Sequence, residues 1–148
     1  MNGFNWGIYI VGRQVIIPTV GRTEAGLYLD IEPVAVVSLD DTEGLIQNIL
    51  AMVQQGNPRV PAPQRGMFPK PVVLKYTKAK SWAAFERAAV CWSISLADGE
   101  FRIGPFARAA DKGWEEDPDL MHRIADSAPL ESVVQRLVGL MQSGSVRD

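Results

Sequence analysis

What most constrains the fold of this chain is that it matches itself. The segment from Gly44 to Gly56 reads against Ser132 to Gly144 at an offset of 88 residues. Apolar positions coincide, Gln47 and Gln54 meet Gln135 and Gln142, and Gly56 meets Gly144. Upstream the offset falls to 87: Gly26-Leu27 face Gly113-Trp114, and Ile16 and Pro18 face Ile103 and Pro105, with Arg22 and Arg108 matching within one residue. Further up it is 86, with Trp6, Ile8 and Ile10 on Trp92, Ile94 and Leu96. Two single-residue insertions account for this drift. A repeat on this scale sets the architecture before any element is assigned, because each copy must build the same supersecondary unit and bury it against its neighbour.

Length and charge bound the rest. A chain of 148 residues is expected to form one domain, 1–148, whose core buries about two-thirds of the unfolded surface. A net charge of −2 argues against a nucleic-acid binder, which needs a basic face. The single cysteine, Cys91, excludes an internal disulfide and a cysteine-rich zinc site. Its place between Val90 and Trp92 reads as a small buried hydrophobe. The N-terminus lacks the basic and apolar regions of a signal peptide, and every apolar run is shorter than the ~20 residues needed to cross a bilayer. The expectation is a cytoplasmic protein without membrane contact.

The first repeat is 1–56. Gly7–Val11 and Gln14–Thr19 flank Gly12-Arg13 and predict a hairpin, with Pro18 ending the pairing or lying at an edge. Leu27–Val37 predicts one long strand, or two broken at Pro33. Ser38 or Asp40 is the expected cap of a helix whose stripe is Leu45, Ile46, Ile49, Leu50 and Val53, and Gly56 stops it. Residues 57–90 form a connector. Its proline-rich part, Asn57–Pro71, excludes helix and central strand. Val72–Tyr76 then reads as a strand, and Ser81 caps a short helix, Trp82–Ala89, with Trp82 and Phe85 inward. The second repeat is 91–148. Trp92–Leu96 alternates, Asp98-Gly99 is a strong turn signal, and Phe101–Phe106 returns. Leu130–Gln142 is the last helix, with Pro129 tolerated at its start. The fold class is therefore α+β. The prediction is a mostly antiparallel sheet of six or seven strands with helices on one side, built from a duplicated β-β-β-α unit and a pseudo-twofold between its halves.

Chemistry is sparse. His122 has no Ser, Cys or second His at a useful spacing, so neither a catalytic triad nor an imidazole metal site follows. The carboxylates Glu115, Glu116, Asp117 and Asp119 lack an EF-hand pattern, and consecutive positions on a strand point to opposite sides. No cofactor, no metal and no enzymatic activity are expected. Lys70, Lys75, Lys78 and Lys80 read as a charged strand edge that resists strand addition. Trp6 and Trp92 hold equivalent positions and read as core. Trp114, beside the acidic run, reads as an exposed interface anchor. In the second repeat that acidic run replaces the apolar residues of the Gly26 strand. Trp114, Glu115, Glu116, Asp117 and Asp119 are thus the candidate partner-binding residues.

The stretches Pro71–Tyr76, Lys80–Arg87 and Gly113–Pro118 resemble a family of small bacterial proteins, the immunity proteins of contact-dependent growth inhibition and related polymorphic toxin systems. That resemblance implies a cytoplasmic protein that binds the toxic C-terminal domain of a cognate effector, a nuclease on this reading, and blocks it without catalysis of its own. An acidic strand would then dock on the basic surface that a nuclease uses to grip phosphate. The alternative is a small structural or interaction domain with an unrelated protein partner.

Overall fold

A computed structural model describes residues 3–63, 71–108 and 114–144. Strands β1 (Phe4–Val11), β2 (Gln14–Arg22) and β3 (Tyr28–Ser38) lead into helix α1 (Thr42–Gln55). The connector supplies a 3-10 helix, Val72–Tyr76, and helix α2 (Trp82–Ala88). Strands β4 (Ala89–Ala97), β5 (Glu100–Arg108), β6 (Trp114–Glu116) and β7 (His122–Ala125) precede helix α3 (Leu130–Ser143). The seven strands form one antiparallel sheet in the order β3-β2-β1-β4-β5. Beyond β5, β6 pairs with Phe106–Arg108 and β7 with Glu100–Ile103. The class is α+β.

The two hairpins have equal loops. Gly12-Arg13 joins β1 to β2 and Asp98-Gly99 joins β4 to β5, with Asp98 and Gly99 both at positive φ, as a tight hairpin turn requires. At the middle of the sheet Trp6 lies opposite Ile94 and Ile8 opposite Trp92. Compared on the footing of the proposed duplication, hairpins with equal loops keep an offset of 86 through the second strand. This corrects the pairing of Ile16 with Ile103: it is Ile17 that shares the layer of Ile103, whereas Ile16 faces the other side of the sheet. The third strands correct likewise. Tyr28 pairs with Arg22 and Trp114 with Arg108, so the position of Trp114 corresponds to Tyr28 rather than Leu27.

Strand alternation builds two layers. Trp6, Ile8, Val15, Ile17, Trp92, Ile94, Phe101 and Ile103 pack on Leu45, Ile49 and Val53 of α1 and on Val133, Leu137 and Met141 of α3. Both long helices lie on this face, as helices with apolar stripes must. The short helix α2 lies on the other face. Its Phe85, with Val73 of the 3-10 helix, covers Tyr9, Ile16 and Cys91.

Several local expectations are overturned. Val72–Tyr76 is a 3-10 helix and not a strand. A five-residue apolar run after a proline carries no periodicity to separate the two, and here the 3-10 turn buries Val73 against the outer sheet face. The lysine run is consequently no strand edge: Lys75 pairs with Glu32 of β3 at 3.3 Å, and β3 itself is the edge strand. Lys70 lies outside the described residues. The cap of α1 is Asp41, whose carboxylate accepts from the Gly44 N–H at 2.9 Å. Ser38 instead accepts from the Asp40 N–H, and Asp40 pairs with Arg13. Pro18 stays inside β2, opposite Val34 at a register shift. Pairing with β1 stops at Ile16, and the Pro18 carbonyl accepts from the Trp6 indole at 2.8 Å. The connector runs along the sheet corner, with the Arg22 N–H donating to the Pro58 carbonyl and the Val60 N–H to that of Arg22. Gly21 makes this approach possible, since a Cβ there would meet a Val60 methyl at 2.6 Å.

Candidate functional site

Trp114 opens β6, and its ring is half-buried rather than displayed. It belongs to an aromatic cluster, with ring centroids 5.7 Å from Tyr9, 5.9 Å from Trp82 and 6.4 Å from Phe85. Edge-on and tilted contacts at such separations are the favoured aromatic geometries. Arg108, its cross-strand partner, lies over the ring at 5.9 Å and donates to the Ala89 carbonyl at 3.1 Å. The expected exposed anchor is thus a packing residue, because α2, some thirty residues upstream in sequence, closes over it.

The four carboxylates do not converge. Glu115 and Glu116 are exposed and adjacent on β6, so they point to opposite sides of the sheet. Glu116 is on the Trp114 side, where its charge acts on Arg102. The strand ends at Glu116. Asp117 begins a turn, accepting from the Asp119 N–H through its side chain at 3.0 Å and from the Leu120 N–H through its carbonyl at 2.9 Å. Asp119 is exposed on that turn. The chain leaves β5 at this point because Gly104 lets it cross closely: a Cβ there would stand 2.7 Å from the Leu120 carbonyl oxygen. Gly113, read as the start of the acidic strand, lies outside the described residues.

Beside the aromatic cluster lies a partly buried polar pair missing from the candidate residues. The Tyr9 hydroxyl donates to Asp30 Oδ2 at 2.6 Å. Burial pushes the Asp30 carboxyl up to about 6, with the Tyr9 hydrogen bond opposing, and burial likewise raises the Tyr9 hydroxyl well above its usual range. Glu86 is buried and accepts from the Trp82 indole at 2.9 Å. A sequence signal for Asp30 existed: it is the one charge within Tyr28-Leu29-Asp30-Ile31. Cys91 is buried beside this pair, and desolvation holds its thiol protonated. His122 lies on β7, half-buried, with Nδ1 3.2 Å from an Arg136 guanidinium nitrogen. Among the described residues no group of three or more His, Cys, Asp or Glu is placed to hold a metal ion, and no helix is long and apolar enough to cross a membrane.

Neither a family model nor a curated protein sequence matches the chain. Solved structures do. The fold is similar to NMB0488, a protein of unknown function from Neisseria meningitidis, at a TM-score of 0.64 and 17% identity over 96% of this chain and 94% of that one. It is also similar to a chain of the CdiA-CT/CdiI toxin and immunity complex from Yersinia pseudotuberculosis, at a TM-score of 0.61 and 10% identity over 95% of this chain and 98% of that one. At these identities the likeness is one of fold.

Proposed function

We infer that the chain is an immunity protein: it binds the toxic C-terminal domain of a cognate effector in the cytoplasm and blocks it, without chemistry of its own. The observation that carries this reading is the end-to-end likeness to a chain of a toxin and immunity complex, which leaves almost no part of either chain unmatched. The net negative charge and the exposed carboxylates Glu115, Glu116 and Asp119 fit a toxin with a basic active-site surface, as a nuclease has. On that reading the acidic edge steers encounter, so its contribution falls as salt is added. Trp114 serves the edge from beneath, holding β6 against the aromatic cluster.

The test is co-expression of the chain with the toxin domain encoded directly upstream of its gene, together with calorimetry of the purified pair. Rescue of growth and a tight one-to-one complex are expected. Growth arrest with no heat of binding overturns the reading for that pair. Replacing Glu115, Glu116 and Asp119 by Lys is expected to slow association more than it speeds dissociation, and unchanged association at low salt removes the acidic edge from the interface.

A further inference from the structure

The corner of the sheet where β2 turns into β3 is built like a binding site, and none of the described residues covers it. Arg22 lies over the Tyr28 ring at 5.8 Å, in the same register position as Arg108 over Trp114. At the Trp114 corner the protein's own helix α2 closes the surface with Trp82 and Phe85. At the Tyr28 corner nothing among the described residues does so. Tyr28 is 41% exposed and its neighbour Leu27 is 51% exposed, which makes Leu27 the most exposed large apolar side chain described.

The corner is rigid. The Thr23 N–H donates to the Leu27 carbonyl at 2.9 Å, the Gly26 N–H to the Thr23 carbonyl at 3.0 Å, and the Leu27 N–H to the Thr23 hydroxyl at 3.1 Å. Arg22 is held on its other side by the connector, and Arg59 forms a backbone bridge directly beside it. Asn57 locks that connector by bonding both backbone groups of Asn5 and the Val20 carbonyl, at 2.8–3.0 Å. A polar cleft of about 620 Å³ opens between these segments, lined by Arg22, Thr23, Glu24, Asn57 and Arg59. Among the described residues neither Arg22 nor Arg59 makes an ion pair, and Glu24 shares the cleft without pairing with either.

Two arginines lining one cleft, neither in an ion pair among the described residues, and an exposed tyrosine are the residue types that dominate interface hot spots, with Leu27 adding apolar area beside them. Arginine's fixed fork of donors selects a carboxylate, which it can grip through two parallel hydrogen bonds. We propose that the Arg22–Tyr28–Arg59 corner is the anchoring surface for the toxin domain, and that it receives a segment presenting a carboxylate beside an apolar side chain. The proposal rests on the immunity reading and names its interface. Helix α2 is the internal precedent: at the other corner it sets Trp82, bonded to the Glu86 carboxylate, on the arginine-backed aromatic ring. The toxin segment takes the place at the Tyr28 corner that α2 takes at the Trp114 corner. The hydrogen-bonded turn keeps this chain's share of the ordering cost of such a contact low.

The experiment measures binding of the full-length chain to the upstream-encoded toxin domain by calorimetry, with thermal unfolding of every variant as a control. The variants are Arg22→Glu with Arg59→Glu, Leu27→Ser alone, and Glu115→Lys with Glu116→Lys. At least a tenfold loss of affinity in the double arginine variant, with a smaller loss for Leu27→Ser, is expected. Affinity equal to wild type in both corner variants overturns the proposal while the immunity reading stands, all the more if the Glu115/Glu116 variant alone loses binding. No binding by the wild type removes the immunity reading and this proposal with it. Should the double arginine variant unfold, Leu27→Ser and Arg59→Gln carry the same comparison. A wild-type dimer in sedimentation that the corner variants convert to monomer assigns the corner to a second copy and overturns the toxin assignment.

Discussion

Two corners of this molecule carry the same device, an arginine lying over an aromatic ring at the end of a hairpin, yet among the described residues one is packed and the other bare. At the first, Trp114 sits under α2 within 6.4 Å of Tyr9, Trp82 and Phe85. At the second, Tyr28 and Leu27 face outward beside Arg22. The cause is the connector. Residues 57–90 occur once in the chain, so they can cover only one half of the outer sheet face. Where α2 and the 3-10 helix press, the sheet presents Tyr9 and Ile16. At the corresponding positions of the second hairpin it presents Ser95 and Arg102. The inner face shows no such split, since α1 and α3 cover both halves with the same kind of side chain. Equal burial goes with equal residues and unequal burial with divergence, which is what a duplicated unit with one added cover would produce.

The comparison is broken most forcefully at the inner face. Ile49 and Leu137 are fully buried at matching positions of α1 and α3. Truncating either to Ala is expected to cost about 2–5 kcal/mol in denaturant titration, through lost burial plus the cavity left behind. A loss below about 1 kcal/mol at one site and not the other would show that the halves are not equivalent even there.

The outer corners should respond unequally. Trp114→Ala opens the aromatic cluster and is expected to cost about 2–4 kcal/mol, somewhat below the range for fully buried rings because the side chain keeps some exposure. Tyr28→Ala removes an exposed ring and is expected to fall within about 0.5 kcal/mol of wild type. Equal costs at the two positions would mean that the Tyr28 corner is closed in solution.

Asp30 sharpens the same contrast through pH. Its carboxyl is raised from 3.8 to about 6 by burial under the covered half of the sheet. A raised acid favours the folded state fully below pH ~4, and that contribution disappears as pH climbs through 6. Wild type is therefore destabilised at pH 8 relative to Asp30→Asn, which keeps an acceptor for the Tyr9 hydroxyl without the charge. The variant is expected to gain up to about 3 kcal/mol at pH 8 and little at pH 4, taking each pKa unit as about 1.4 kcal/mol. Thermal melts of both proteins across that range decide it. A gain that is flat with pH would place the effect outside Asp30 ionisation.

The smallest effect concerns the two halves as wholes. The proposed duplication expects Trp6 to superpose on Trp92, Ile17 on Ile103 and α1 on α3 through a rotation near a half-turn. Overlay of an experimental structure on itself tests this, and a best fit that needs Ile16 on Ile103 would reject the register correspondence described above.

Local chemistry alone was enough for much of this molecule. The Asp98-Gly99 turn, the Ser81 cap and the α1 and α3 stripes follow from backbone preferences and periodicities set within a few residues, and so does the alternation that buries Trp6 and Trp92. The α+β class follows from those patterns together. Other features needed the assembled sheet. Val72–Tyr76 is a 3-10 helix that buries Val73 against the outer sheet face, a contact its own five residues do not encode. Trp114 is half-buried by a helix distant in sequence, and past Asp117 the chain crosses close to Gly104, thirteen residues earlier on the neighbouring strand, where a Cβ would block it. Arg22, Tyr28 and Arg59 looked unremarkable in sequence, since only the bridge between β2 and the connector sets the two arginines side by side. Periodicity reports which way a side chain points along its own element. What lies on the far side of that surface is decided by contacts between segments far apart in the chain, and on those contacts rests the difference between the packed corner and the bare one.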